Sequence, residues 1–133
     1  MTNWIVSRTD EQGGCNRSFY IQLVDFWESG DIGPHFAKDQ IGCHPWNDEE
    51  AILKKSPLRY VRNVKTPLLI IHSMGDYRCW MVEAIRLFTT LKHYDKEAEL
   101  VLFPKENHEL SRSGRPRHGT IRQQNYIMCS IRT

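Results

Sequence analysis

A chain of 133 residues has the size of one domain, and 40% hydrophobic with 26% charged residues suits a folded globular protein, not a disordered segment. A formal net charge of +2 gives no field that would mark nucleic acid or an anionic membrane as partner. No apolar run is long enough to span a bilayer, and the opening Met1-Thr2-Asn3-Trp4 lacks the basic and apolar regions of a signal peptide.

Met1, Trp4 and Ile5 fall at helical spacing, which predicts the tail of a helix over residues 1–8, ended by Gly13-Gly14. Residues 18–27 are rich in aromatic and branched side chains and are read as a strand, although they alternate poorly. From 28 to 64, short apolar clusters are broken by Gly30, Gly33, Pro34, Gly42, Pro45 and Pro57, a pattern of short helices and turns over a sheet edge. Leu68, Leu69, Ile70 and Ile71 form a continuous apolar run, as in a strand covered on both faces. Met81, Ala84, Ile85, Phe88 and Leu91 then recur at steps of three and four, predicting an amphipathic helix over residues 80–94. Residues 98–103 read as a second buried strand, followed by a polar loop over 104–116 and a weakly helical tail. Strand, helix, strand is a βαβ unit with parallel strands, so the expected class is α/β: a mostly parallel sheet flanked by helices.

Cys15, Cys43, Cys79 and Cys129 show neither C-x-x-C spacing nor close histidine partners. They are expected to be free thiols, with no metal site and no cofactor, in a reducing, cytoplasmic setting.

In open α/β sheets function gathers at the carboxyl ends of the strands. The residues there are Asp76, in Gly75-Asp76-Tyr77-Arg78-Cys79, and His108, in Glu106-Asn107-His108-Glu109-Leu110. An acid followed by a histidine is the chain order of the second and third members of an α/β-hydrolase triad, in which a buried carboxylate orients the imidazole that takes the nucleophile's proton. By spacing alone, an aspartate after glycine is more often a turn former, and a loop histidine more often a solvated surface residue.

Four segments add to the spacing. Ser56-Pro57-Leu58-Arg59-Tyr60-Val61, Val64-Lys65-Thr66-Pro67-Leu68-Leu69-Ile70-Ile71-His72, Gly75-Asp76-Tyr77-Arg78-Cys79 and Phe103-Pro104-Lys105-Glu106-Asn107-His108-Glu109-Leu110-Ser111-Arg112-Ser113-Gly114 resemble, in order, the end of the catalytic domain of the prolyl oligopeptidase and acylaminoacyl-peptidase family of serine peptidases. The resemblance implies the C-terminal part of an α/β-hydrolase fold, with residues 1–133 a partial catalytic domain. It makes Asp76 the triad acid, His108 the general base and acid, and Arg78 a cation that orients a substrate carbonyl. Trp27 and Phe36, with Val24 and Phe26, fall where relatives line the pocket for the residue before the scissile bond, although such aromatics are more often plain core. The implied substrate is a short or N-acylated peptide.

In that family the nucleophile sits in a G-x-S-x-G-G-Y elbow that runs into a Met-Thr-Asn-Trp helix, and here Met1-Thr2-Asn3-Trp4 come first. No G-x-S-x-G occurs in the 133 residues, and Ser73, in His72-Ser73-Met74-Gly75, is read as structural. The expectation is a fragment with the relay but no nucleophile, inactive alone, its half-sheet edge open to self-association. Other departures from the family are the polar, glycine-rich Glu11-Gln12-Gly13-Gly14-Cys15, implying a shortened or displaced strand, Trp80 in place of a usual proline, and the tail past His118.

Overall fold

The structure, a computed structural model, describes the backbone of residues 14–17 and the whole of residues 20–109. Its frame is a parallel sheet in the order β1-β2-β3, with β1 at Gly14–Arg17, β2 at Leu68–Ser73 and β3 at Ala98–Phe103. The central strand β2 is buried along its whole length, as its unbroken apolar run requires. Successive side chains of a strand point to opposite faces. Accordingly Leu68 and Ile70 enter one core with Ala84, Leu87 and Leu91, while Leu69 and Ile71 enter another with Phe103. β1 covers the four described residues Gly14–Arg17. β3 lies where expected but is less buried than expected: only Phe103 is fully buried and Glu99 is exposed. Among the described residues it has a neighbour on one side only.

Between β2 and β3 runs a helix at Met81–His93, within the predicted 80–94. Its buried stripe differs from the expected one, because Ile85 is exposed whereas Glu83 and Leu87 are buried. Glu83 can be buried because its Oε2 accepts two backbone bonds, from Ile21 N at 2.8 Å and Gln22 N at 2.9 Å. Burial still pushes its carboxyl above the ordinary glutamate pKa, against the pull of those two amides.

The predicted strand over 18–27 is a helix instead, at Leu23–Ser29. Leu23 and Phe26 are buried three residues apart, and Tyr20 stacks on Phe26 with ring centroids 4.2 Å apart. The aromatic and branched residues there pack one helical stripe, which explains their poor alternation. In chain order this helix is α1, and α2 follows at Gly33–Phe36 with a proline in its first turn. A π-helical turn at Ala37–Ile41 continues it and ends at Gly42, whose φ of 74° is the left-handed conformation glycine tolerates. α3 at Glu49–Lys54 is capped by the Asp48 side chain, which accepts from Ala51 N at 2.9 Å. A 3-10 helix at Pro57–Asn63 leads to β2, and the helix at Met81–His93 is α4.

These short helices, anticipated from the broken apolar clusters, share a core of Leu23, Ala37, Ile41, Cys43 and Ile52. Ser56 joins them, its hydroxyl accepting from Leu23 N at 3.1 Å and donating to Ile52 O at 3.0 Å. Cys43 and Cys79 are free and buried. Among the described residues no helix is long and apolar enough to cross a membrane. The expected helix over 1–8, the side chains of Cys15 and Cys129, and the tail past His118 lie outside the described residues.

Candidate active site

The register Ser73↔Phe103 brings β2 and β3 to the same level at their carboxyl ends. Three hydrogen bonds then join the loops that leave them: Met74 N to Phe103 O at 3.0 Å, Gly75 N to Glu106 O at 3.0 Å, and the Ser73 hydroxyl to Asn107 O at 2.7 Å. Gly75 permits this approach, since a Cβ there would stand 2.7 Å from the Glu106 carbonyl oxygen. Ser73 itself is fully buried.

These bonds set Asp76 against His108. Nδ1 of His108 lies 2.9 Å from Oδ2 of Asp76 and 3.1 Å from Oδ1. An ionised carboxylate only accepts, so Nδ1 donates and Nε2 keeps the lone pair. Oδ1 also accepts from Arg78 N at 3.0 Å and Cys79 N at 2.9 Å, which pins the carboxylate in a side-chain-closed turn. The Asp76 side chain has no exposed surface while that of His108 is 33% exposed, so the acid is sealed and the imidazole can be reached. A buried, fixed acid behind an accessible imidazole is suited to accepting and returning a proton.

Behind this pair lies His72, fully buried on β2, with Nε2 2.7 Å from Cys79 O and 3.6 Å from Asp76 Oδ2. Burial holds its imidazole below the usual histidine pKa, partly offset by the Cys79 carbonyl and the Asp76 charge. The Cys79 thiol is pushed up to about 12, first by burial and then by the neighbouring Asp76 charge.

The other three predicted residues stand apart from the pair. The Arg78 guanidinium turns to Asp31, with Nε 3.2 Å from Oδ1 and Nη2 3.1 Å from Oδ2, and the Asp31 carboxyl is held below its usual pKa chiefly by that hydrogen bonding. Nearby, Trp80 Nε1 donates to Ser29 O at 2.8 Å, tying the loop after β2 to the end of α1. Phe36 packs edge-on against Tyr20 and Phe26. Trp27 stacks near His44 and meets Trp46 edge-on, each at 6.0 Å between centroids.

Sequence reasoning passed over His72 and Asp31. The sign for His72 is a polar residue directly after the apolar Leu68–Ile71 run and four positions before Asp76. Nothing local pairs Asp31 with Arg78, 47 positions away.

A parallel sheet carrying an acid and a histidine on the loops after successive strands has the architecture of an α/β hydrolase. Residues 1–128 match the Prolyl oligopeptidase family, and the chain belongs to that family. It is 41% identical over 128 residues to a peptidase of Bacillus subtilis named as uncharacterized, YuxL, covering 96% of this chain and 19% of the relative. Dipeptidyl-peptidase 5 of Schizosaccharomyces pombe is 29% identical over 112 residues, covering 81% of this chain and 16% of that protein. Among solved structures, the acylaminoacyl peptidase of Pyrococcus horikoshii superposes with a TM-score of 0.87 at 36% identity, over 96% of this chain and 21% of that one. The chain thus spans about a fifth of the length of the Bacillus subtilis and Pyrococcus horikoshii relatives.

Proposed function

We propose that this chain supplies the acid and the histidine of a serine-peptidase relay, Asp76 orienting His108 and His108 shuttling the proton, and that the nucleophile lies outside these 133 residues. The observation that carries the reading is the 2.9 Å bond from His108 Nδ1 to a sealed Asp76 at the carboxyl end of a parallel sheet. In the whole protein a serine attacks the carbonyl of a short or N-acylated peptide, His108 takes its proton, and the same proton passes to the leaving amine. Likeness to an acylaminoacyl peptidase and to a dipeptidyl-peptidase supports that substrate class. Arg78 is the cation for a substrate carbonyl, with Asp31 holding the guanidinium in place. Trp27 and Phe36 are the apolar wall on the α1 and α2 side. The buried, free thiols of Cys43 and Cys79 favour a cytoplasmic setting.

The absence of G-x-S-x-G from the sequence, and a Ser73 hydroxyl buried against Asn107 O, support inactivity of the chain by itself. A chromogenic acyl-amino-acid anilide and an acyl ester test this, with His108→Ala and a blank as controls. Hydrolysis no faster than the blank is expected. Turnover that a serine-directed phosphonate blocks and His108→Ala abolishes would mean that a serine within the chain is the nucleophile.

A second reading, a self-associating remnant without catalysis, draws on β1 and β3 standing as the outer strands among the described residues. Sedimentation over a range of concentration distinguishes it: a single monomeric species throughout would remove it.

A further inference from the structure

Two backbone amides hold Asp76 Oδ1, those of Arg78 and Cys79, and the second leads back to His72. The Cys79 N–H lies 2.9 Å from Oδ1, and the carbonyl of that same Cys79 lies 2.7 Å from His72 Nε2. A carbonyl only accepts, so Nε2 carries the proton. This N–H also stands 3.6 Å from Asp76 Oδ2, the oxygen nearest His108 Nδ1. Among the groups acting on the ring are the Asp76 carboxylate and the His108 imidazole, with the Cys79 carbonyl as a hydrogen-bond acceptor. His72 is on the most buried strand of the sheet, whereas Asp76 is on a loop, so the histidine is the fixed end of this chain of bonds.

Resting on the reading of Asp76 and His108 as an acid and histidine pair, we propose that His72 is a positioning residue for that pair: it anchors the Cys79 backbone and so holds Asp76 in the orientation that keeps the proton on Nδ1 of His108. It touches no reacting atom. Its effect passes through Asp76, and the quantity it governs is the tautomer of His108. A donor in a sealed site with a carbonyl on one side and a carboxylate on the other is worth more than the same contact in water.

The test needs no nucleophile. In the whole chain labelled with nitrogen-15, the imidazole shifts of neutral histidines report which ring nitrogen bears the proton. The expected result is Nδ1–H at His108 and neutral Nε2–H at His72. His72→Leu, which removes the donor, is expected to move most of the His108 population to the Nε2–H form. His72→Gln, whose side-chain amide offers a donor at about the same reach, is expected to restore Nδ1–H. Retention of Nδ1–H in His72→Leu, or failure of glutamine to restore it, would overturn the proposal. So would a wild-type His72 protonated on Nδ1, a reading that stands even if the leucine variant does not fold. Asp76→Asn separates the two levels: an unchanged His108 tautomer there sinks the pair itself, while a change in Asp76→Asn without one in His72→Leu sinks only the role of His72.

Discussion

The unit formed by β2, α4 and β3 and the helical segment of residues 20–63 are held together in different ways. The first has a central strand buried along both faces and a three-turn helix packed on it. The second is a succession of short helices, a π-helical turn and a 3-10 helix around a small core of its own. The acid, the histidine and Arg78 sit on the first, whose loops are joined by backbone bonds, whereas the proposed substrate-facing residues Trp27 and Phe36, and the Asp31 that pairs with Arg78, sit on the second. Proton transfer demands fixed distances, and the stiffer unit supplies them.

Truncation of one fully buried isoleucine in each region exposes the difference most strongly. Ile70→Ala, in β2, is expected to lower the stability of the whole chain by about 4 kcal/mol in urea unfolding. Ile52→Ala, in α3, is expected to cost about 3 kcal/mol, with the loss of hydrogen-exchange protection concentrated in residues 20–63. Equal loss of protection throughout in both variants would mean the two regions are one cooperative unit.

Glu83 is a buried polar fastener between the regions. Glu83→Ala leaves the Ile21 and Gln22 amides without their acceptor and is expected to cost about 2 to 3 kcal/mol. Because burial raises its folded pKa above 4.5, its titration favours folding below 4.5, and that contribution is lost as pH rises through the raised value. Urea midpoints should therefore show a component that falls with rising pH just above 4.5 and is missing in Glu83→Gln. Gly75→Ala tests the joined loops, since the new Cβ meets the backbone of Glu106. About 1 to 2 kcal/mol of destabilisation is expected, with a displaced His108 resonance. The smallest effect is reserved for Asp31→Asn, where a half-exposed ion pair with Arg78 is lost. Any change in melting temperature should fade as salt is added, and one that persists would show a tighter coupling between the regions.

The stiffer unit is also the one that was legible in the sequence. An unbroken Leu68 to Ile71 run admits few alternatives, and the spacing of Ala84 and Leu91 sets the helix that follows. The same regularity puts Asp76 and His108 at neighbouring strand ends from the pattern of residues alone. Legibility failed where packing overrode local pattern. Residues 23–27 carry strand-forming types yet fold as a helix, because Leu23 and Phe26 are wanted on one side of it. Ile85 was placed inward by its type, but Glu83 takes the inward place because two distant amides need its carboxylate. Asp31 pairs with Arg78, 47 positions away, which no local spacing shows.

The central claim is that Asp76 and His108 form a working relay, and the direct test is to give them a nucleophile. The stretch of the Pyrococcus horikoshii acylaminoacyl peptidase on which this chain superposes is replaced by the corresponding residues of this chain, and hydrolysis of an acyl-peptide anilide is followed in a soluble, folded graft. The expected turnover drops on the order of 10⁴-fold in His108→Ala and falls heavily in Asp76→Ala as well. Turnover that survives His108→Ala undiminished would contradict it.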